Sequence, residues 1–333
     1  MYGVNVAILG ATGLVGQKIL EILEERHFPV GNLTALATEG QGRTVRFRGE
    51  DIPVRSVDSM EWSSVDVAFF AASAEASRTY APKAIAQGVT VIDKSSYFRM
   101  DPSVPLVVPE VNGYAARDAR LIASPNCSTI QMVVALEPLR RQYGLKRVIV
   151  STYQAVSGTG REAMETLTRE SRDVLDDRTV TPSTYPTPIA FNVLPYCDKF
   201  GEQDYTGEEW KLTRETQKIF GEPLPVSATA VRVPVFVSHA ESVYVETEQL
   251  FDVAAVRNLL ASSPGLRVID DPAGGEVPVP WEAADQDLVL VGRLRRDLFV
   301  ENGLHLFVVA DNLRKGAATN AIQIVESLLP RWA

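Results

Sequence analysis

Apolar positions along this chain fall into two textures. In the first, short apolar runs alternate with stretches of helical spacing. Residues 4–9 form an apolar run that reads as a strand. It enters the turn Gly10-Ala11-Thr12-Gly13-Leu14-Val15-Gly16, after which apolar residues at 19, 20, 22 and 23 suit a helix packed on a sheet. Further strands are predicted at 33–37, 65–70 and 89–92, with a helix over 81–87 and short strands at 106–108 and 121–123. Strands alternating with helices imply a parallel sheet.

The second texture begins after Cys127. An amphipathic helix is predicted over 130–143, ended by Gly144, then a strand over 147–154, a helix over 162–175 and a proline-rich loop over 185–195. A polar helix over 208–220 follows. Strict alternation then covers 227–237, 242–249, 288–294 and 304–309, the mark of antiparallel strands with one covered face. A closing apolar helix is expected over 317–329. The predicted fold class is therefore α/β followed by α+β. A Rossmann-like parallel sheet spans residues 1–127 and is completed by 313–331. A mixed or antiparallel sheet domain spans 128–312.

Composition narrows the functional classes. With 333 residues, 45% of them hydrophobic, the chain can bury a substantial core. Its net charge of −9 argues against a nucleic-acid surface, but not against a locally basic pocket for a small anion. Two cysteines, Cys127 and Cys197, exclude a disulfide framework and a four-cysteine zinc site, and no metal is expected. No apolar run reaches the roughly 18 residues of a spanning helix, and the chain opens without a basic-then-apolar leader, so a cytoplasmic protein is expected.

Four constellations carry chemistry. Gly10, Gly13 and Gly16, placed between a first strand and a helix, suit a backbone cradle for a pyrophosphate. An ordinary strand–helix turn is the competing reading. Ser124-Pro125-Asn126-Cys127 stands directly before a helix, whose positive end favours the reactive thiolate. Cys197 has no such context and reads as inert. Tyr153-Gln154-Ala155-Val156-Ser157-Gly158 runs from a strand into a turn fit for phosphate or a nicotinamide ring. His239 is the natural proton partner for a cysteine nucleophile. Arg232 and His239 stand an odd number of positions apart, so one unbroken strand would point them to opposite faces. A bend at Pro234 is expected to bring both to one pocket. His27 and His305 have no comparable setting. Together these features predict aldehyde–acyl chemistry through a thioester, with hydride exchanged with a nicotinamide.

Over essentially its whole length the chain resembles the bacterial aspartate-β-semialdehyde dehydrogenases. The resemblance rests on the glycine turn at 10–16, Ser95-Ser96-Tyr97-Phe98-Arg99, Val108-Pro109-Glu110-Val111-Asn112, Ser124-Pro125-Asn126-Cys127, Gln154-Ala155-Val156-Ser157-Gly158, Glu208-Glu209-Trp210-Lys211, Val231-Arg232-Val233-Pro234, His239 and Asn312-Leu313-Arg314-Lys315-Gly316-Ala317. It implies NADPH-dependent reductive dephosphorylation of L-aspartyl 4-phosphate to L-aspartate 4-semialdehyde, a step toward lysine, threonine, methionine and diaminopimelate. It makes Cys127 the nucleophile, His239 the proton handler and Gln154 the residue orienting the acyl group. Arg232 would grip the α-carboxylate and Glu208 the ammonium, while Arg99, Asn126 and Lys211 would hold the phosphate. The cofactor would meet Gly10, Thr12, Gly13, Leu14, Val15, Thr38, Gly40, Gln41, Ser157, Gly158 and Asn312. The second domain would be catalytic and dimerising, giving a homodimer or homotetramer.

One stretch departs from the family. Relatives often carry a serine and an arginine after the second strand, for the 2′-phosphate of NADP. Here the stretch is Thr38-Glu39-Gly40-Gln41-Gly42-Arg43. A carboxylate in this place favours a ribose hydroxyl over a phosphate. NADP is the expected cofactor, with NAD the alternative. Two rival readings remain: an N-acetyl-γ-glutamyl-phosphate reductase, whose substrate offers no ammonium to Glu208, and a non-catalytic relative, which would have no need of Cys127 and His239.

Overall fold

A computed structural model describes residues 3–39 and 42–332. The chain divides into two compact units, residues 1–126 with 317–333, and residues 127–316.

The first unit is built on a seven-stranded sheet. Strand β1 (Val4–Leu9) leads through the glycine turn into helix α1 (Leu14–Glu25) and back to β2 (Val30–Ala37). Gly16, Ile19, Leu20 and Leu23 recur at helical spacing and are the buried side of α1. Strands β3 (Thr44–Phe47) and β4 (Glu50–Ser56) form a hairpin that the sequence reading did not anticipate. Its turn places Arg48 and Gly49 at φ 47° and 80°, a pair that suits a two-residue hairpin loop. The chain continues through β5 (Val67–Phe70), helix α2 (Ala74–Ala86), β6 (Thr90–Asp93), a short turn α3 (Pro109–Asn112) and β7 (Leu121–Ala123). The sheet order is β3-β4-β2-β1-β5-β6-β7, parallel except for the hairpin.

Two expectations change here. The helix predicted over 81–87 is only the second half of α2. Ser73 caps its start by accepting from Ala76 N, and Pro82 is carried in the interior at the loss of one N–H donor. Residues 106–108 do not form a strand; Leu106 makes a single bridge to Ala123.

The second unit opens with α4 (Cys127–Tyr143). This helix is buried on nearly every side rather than amphipathic: Ile130, Met132, Val133, Ala135, Leu136 and Leu139 are all fully covered. It lies on strands of a six-stranded sheet and against neighbouring helices. Strand β8 (Leu145–Gln154) is followed by helices α5 (Arg161–Leu175) and α6 (Gly207–Phe220), then β9 (Val226–Arg232) and β10 (His239–Thr247). Helix α7 (Val253–Ala261), β11 (Leu266–Val268), a turn α8 (Pro280–Ala283), β12 (Val289–Arg296) and β13 (Gly303–Ala310) complete it. The order is β11-β12-β13-β10-β8-β9. Pairs β10–β8, β10–β13 and β12–β13 are antiparallel, whereas β8–β9 and β11–β12 are parallel, so the sheet is mixed. A π turn, Arg314–Ala318, precedes α9 (Thr319–Leu328). Helix α9 returns to the first unit, where its Ala321, Ile322, Ile324 and Val325 join the core with α1.

Candidate active site

In the first unit the glycine turn separates three jobs among its glycines. Gly10 sits at φ 88°, and a Cβ there would stand 2.3 Å from the Ala71 carbonyl oxygen. A Cβ on Gly16 would stand 2.1 Å from the Gly10 oxygen, so Gly16 lets α1 start against the turn. At Gly13 the nearest atom to an added Cβ is 3.3 Å away, and the residue is exposed. Gly13 is also the N-cap of α1 and offers no side chain to its first N–H groups. Those donors and the positive end of the helix make an anion cradle at the carboxyl end of β1. The strand order reverses beside β1, which is where such sheets take nucleotides. The residues therefore fit a dinucleotide pyrophosphate. Thr12, Leu14 and Val15 are half-buried around the turn, and Thr38 and Glu39 are exposed just past the end of β2. Gly40 and Gln41 lie outside the described residues.

Arg99 and Asn126 also belong to this unit. Asp93 accepts from Ser77 Oγ (2.7 Å), Ser95 N (3.0 Å) and Ser95 Oγ (2.9 Å), fixing the loop after β6. Arg99 is held at the end of that loop by donating to the Lys94 carbonyl at 2.9 Å. Asn126 is buried and directly precedes Cys127 in the chain.

In the second unit the ends of three strands converge. Gln154 closes β8, Arg232 closes β9 opposite it, and His239 opens β10 on the other side of β8. This corrects the expected bend within one strand. Arg232 and His239 lie on different strands, and residues 233–238 cross the end of β8 between them. That crossing is held by Val233 N to Gln154 O (3.1 Å), Val156 N to Val235 O (2.9 Å) and Ser157 N to Phe236 O (3.2 Å). Its last residue, Ser238, has φ 78°, an uncommon conformation for a side-chain-bearing residue. Asn312 accepts from Ser238 N at 2.9 Å and donates to Ser157 Oγ at 3.0 Å, so it braces the turn before His239.

Cys127 is the first residue of α4 and is half-buried. The next residue, Ser128, accepts from Gln154 Nε2 at 2.9 Å, which ties the start of the helix to the end of β8. The same amide nitrogen donates to Glu208 Oε1 at 3.0 Å. Glu208 sits in the first turn of α6, whose start is fixed by a Thr206–Glu209 capping box. The other oxygen of Glu209 accepts from Ala230 N in β9 at 2.9 Å, so the helix start is locked to the strand carrying Arg232. Lys211 bonds both Glu208 Oε2 (3.2 Å) and Asp198 Oδ2 (2.8 Å). Burial acts to lower the Lys211 pKa, but Glu208 and Asp198 outweigh it and the net shift is upward. Lys211 is thus a cation. Asp198 went unnoticed in the sequence, because nothing local marks a loop aspartate as the partner of a helix lysine.

His239 is fully buried. Its Nδ1 accepts from Ala155 N at 3.0 Å. A neutral ring accepting there carries its proton on Nε2, which has no hydrogen-bond partner among the described residues. Burial, reinforced by the charge of Arg232, lowers the His239 pKa to about 3. Arg232 donates Nη1 to the Ala155 carbonyl at 2.8 Å. Ser157 is buried and Gly158 exposed; a Cβ on Gly158 would stand 3.2 Å from His239 Nε2 and from Arg232 Nη1. Gly316 is a further residue the sequence reading missed. A Cβ there would come within 2.9 Å of the Cys127 Cβ. Cys197, by contrast, is buried and its thiol is pushed up to about 12 by desolvation, so it stays protonated and unreactive. Gln154, Glu208, Lys211, Arg232 and His239 are therefore one cluster, bonded to the helix that begins at Cys127.

Comparison with known proteins identifies the family. The model of the semialdehyde dehydrogenase NAD binding domain matches residues 5–119, and that of the semialdehyde dehydrogenase dimerisation domain matches 136–315. The aspartate-semialdehyde dehydrogenase of Aquifex aeolicus is 48% identical over 334 residues, covering 98% of both chains. That of Bacillus subtilis is 46% identical, covering 98% of this chain and 97% of its own. A crystal structure of aspartate semialdehyde dehydrogenase II from Vibrio cholerae superposes with a TM-score of 0.96 at 45% identity, over 99% of this chain and 100% of that one. Among the described residues no helix is long and apolar enough to cross a membrane. The chain belongs to the aspartate-semialdehyde dehydrogenase family.

Proposed function

We propose that this protein reduces L-aspartyl 4-phosphate to L-aspartate 4-semialdehyde with NADPH, releasing phosphate, within amino-acid and diaminopimelate biosynthesis. The observation that carries the reading is the placement of Cys127 at the start of a buried helix, bonded through Ser128 to a cluster holding one neutral histidine, one arginine and one carboxylate–lysine pair.

The Cys127 sulfur attacks the acyl carbon of the substrate, and the carbon–oxygen bond to phosphate breaks to leave a thioester. Gln154 orients the acyl group. Arg232 has N–H donors beyond the one given to Ala155, enough to grip the α-carboxylate as a fork. Glu208 meets the ammonium. Lys211 draws the phosphate, with Arg99 and Asn126 sharing that task as the family resemblance assigns. The reduced nicotinamide, when bound, supplies the hydride that converts the thioester carbon. His239 presents a proton on Nε2 and so serves as donor to the oxygen that gains charge, rather than as the base that first strips the thiol. Collapse of the resulting thiohemiacetal oxyanion, held by the His239 Nε2–H, re-forms the carbonyl, breaks the carbon–sulfur bond and frees the aldehyde and the Cys127 thiolate.

The first unit takes the dinucleotide on its glycine turn, and the family resemblance assigns Ser157, Gly158 and Asn312 to the cofactor as well. The second unit carries the acyl chemistry and pairs into a homodimer, read by sedimentation, and the protein works in the cytoplasm. Glu39 beside the ribose position weakens the preference for NADP without reversing it. Steady-state assays with aspartate semialdehyde, phosphate and each oxidised cofactor test the whole reading. Turnover with NADP exceeding that with NAD is expected. No turnover with either overturns the function, and turnover with NAD alone overturns the cofactor.

A further inference from the structure

One buried acid in the second unit has no part in the mechanism above. Glu241 lies two positions after His239 on β10, hence on the same face of the strand. It is fully buried, and among the described residues neither carboxylate oxygen has a hydrogen-bond partner. Its register neighbours are Thr152 on β8 and Val308 on β13, both fully buried. Farther along the same face of β10 stand Val243 and Val245. The position is one that an apolar side chain would fill at lower cost.

What covers this face is helix α4. One turn beyond Cys127 the helix presents Gln131, fully buried, with its amide nitrogen 3.3 Å from the His239 carbonyl oxygen. Glu241 lies two residues along β10 from the His239 carbonyl that this amide holds, and Gln131 is the group that pulls its pKa down against burial. The Gln131 oxygen has no hydrogen-bond partner among the described residues. An ionised carboxylate here would be an unpaired buried charge, whereas a carboxylic acid has an O–H to give. Desolvation drives the group toward that protonated form, well above the ordinary carboxylate range, with only Gln131 opposing it.

We propose that Glu241 and Gln131 act as a positioning pair, locking the strand start that carries His239 to the helix that begins at Cys127. Gln131 holds the His239 backbone through its carbonyl. Glu241, in the neutral form, fixes the Gln131 amide from the opposite side. Neither residue touches the reacting atoms. The inference rests on the function proposed above for its kinetic readout, so it is tested by a second measurement that needs no turnover.

The experiment compares Glu241→Gln, Glu241→Leu and Gln131→Met with the wild type. Glu241→Gln keeps shape and neutrality, and kcat within about threefold of wild type is expected. Glu241→Leu and Gln131→Met should each lower kcat by about 30-fold with KM little changed, since misplacement of a catalytic group falls on the chemical step. The double change Glu241→Leu with Gln131→Met should cost no more than either alone. In parallel, ¹⁵N-histidine spectra follow the three histidines His27, His239 and His305. A single Nε2-protonated form of His239 is expected in the wild type and Glu241→Gln, and a second form in the other two. If Glu241→Gln loses as much kcat as Glu241→Leu, the acid itself is needed and positioning is wrong. Wild-type kcat in both Glu241→Leu and Gln131→Met also overturns the pair. Should Glu241→Leu fail to fold, Gln131→Met against Glu241→Gln gives the same decision. If the wild type shows no turnover, the proposed reaction fails, and the spectra alone decide the pair.

Discussion

The glycine turn of the first unit and the strand-end cluster of the second solve opposite problems. The turn works through backbone: Gly10 and Gly16 are required because any side chain would strike a carbonyl oxygen, and Gly13 leaves α1 N–H groups open. It occupies one short stretch of chain. The cluster works through side chains drawn from α4, β8, α6, β9 and β10, far apart in sequence. A backbone site tolerates no added atoms but carries little charge of its own. A side-chain site depends on charge and proton placement, and each member is exposed to its neighbours' electrostatics. Substitutions should therefore fail differently in the two regions: by packing and cofactor affinity in the first, by rate in the second.

The largest effect should separate the two cysteines. Cys127→Ser is expected to lower kcat by about a thousandfold or more while leaving the melting temperature and cofactor binding near wild type. Cys197→Ser should keep the rate within about twofold, because that thiol is buried and held protonated. Equal losses from both, measured by initial rates, would remove Cys127 from its role. Next comes His239→Gln, for which about a hundredfold loss in kcat is expected. His239 also gives the cluster an acid liability. Its folded pKa, about 3, lies below the ordinary value of 6.5, so the unfolded chain takes up the proton first. Stability is intact above pH 6.5 and falls as pH drops toward 3, by up to about 1.4 kcal/mol per pH unit from this residue. Denaturant midpoints between pH 7 and 4 should fall more steeply in the wild type than in His239→Gln; parallel lines would refute the buried neutral imidazole.

The same contrast explains what the sequence disclosed. The glycine turn was legible because its signal is local, a strand, three spaced glycines and a helical period in unbroken order. Cys127 was legible because a helix start follows it at once. The convergence of Arg232 with His239 was only half legible. Their residue types and the need for a common pocket could be read, but an interposed strand, β8, is a non-local pairing that no spacing rule reports. The β3–β4 hairpin escaped because it is short and rich in charge, with Arg46, Asp51 and Arg55 on it and Pro53 in the middle of β4. Gly316 escaped because its meaning lies in the Cys127 side chain against it, which chain order does not reveal.

In the backbone region, two neighbouring glycines should part company. Gly16→Ala drives a Cβ into the Gly10 carbonyl oxygen, and a loss of about 3 kcal/mol in folding stability is expected. Gly13→Ala meets nothing nearer than 3.3 Å. Its melting temperature should stay within about 2 °C of wild type while the cofactor KM rises roughly tenfold, about 1.4 kcal/mol. Loss of stability at both positions, with cofactor affinity intact in the folded fraction, would make the turn a packing device only.

The smallest effect should come from Asp198→Asn at the rim of the cluster. Asp198 and Lys211 are 42% and 29% exposed and pair at 2.8 Å, so the pair itself contributes under about 1 kcal/mol. Stability should barely change. What does change is charge: one of two carboxylates on the Lys211 ammonium is removed, and the Glu208 bond remains. An incoming phosphate then meets the same cation with less opposing charge. In the oxidative direction the KM for phosphate should fall by about twofold to threefold with kcat unchanged, and the gain should shrink as salt is added. A rise in that KM would mean that Asp198 matters by holding the lysine in place. The cluster would then depend on geometry even at its rim, as the glycine turn does throughout.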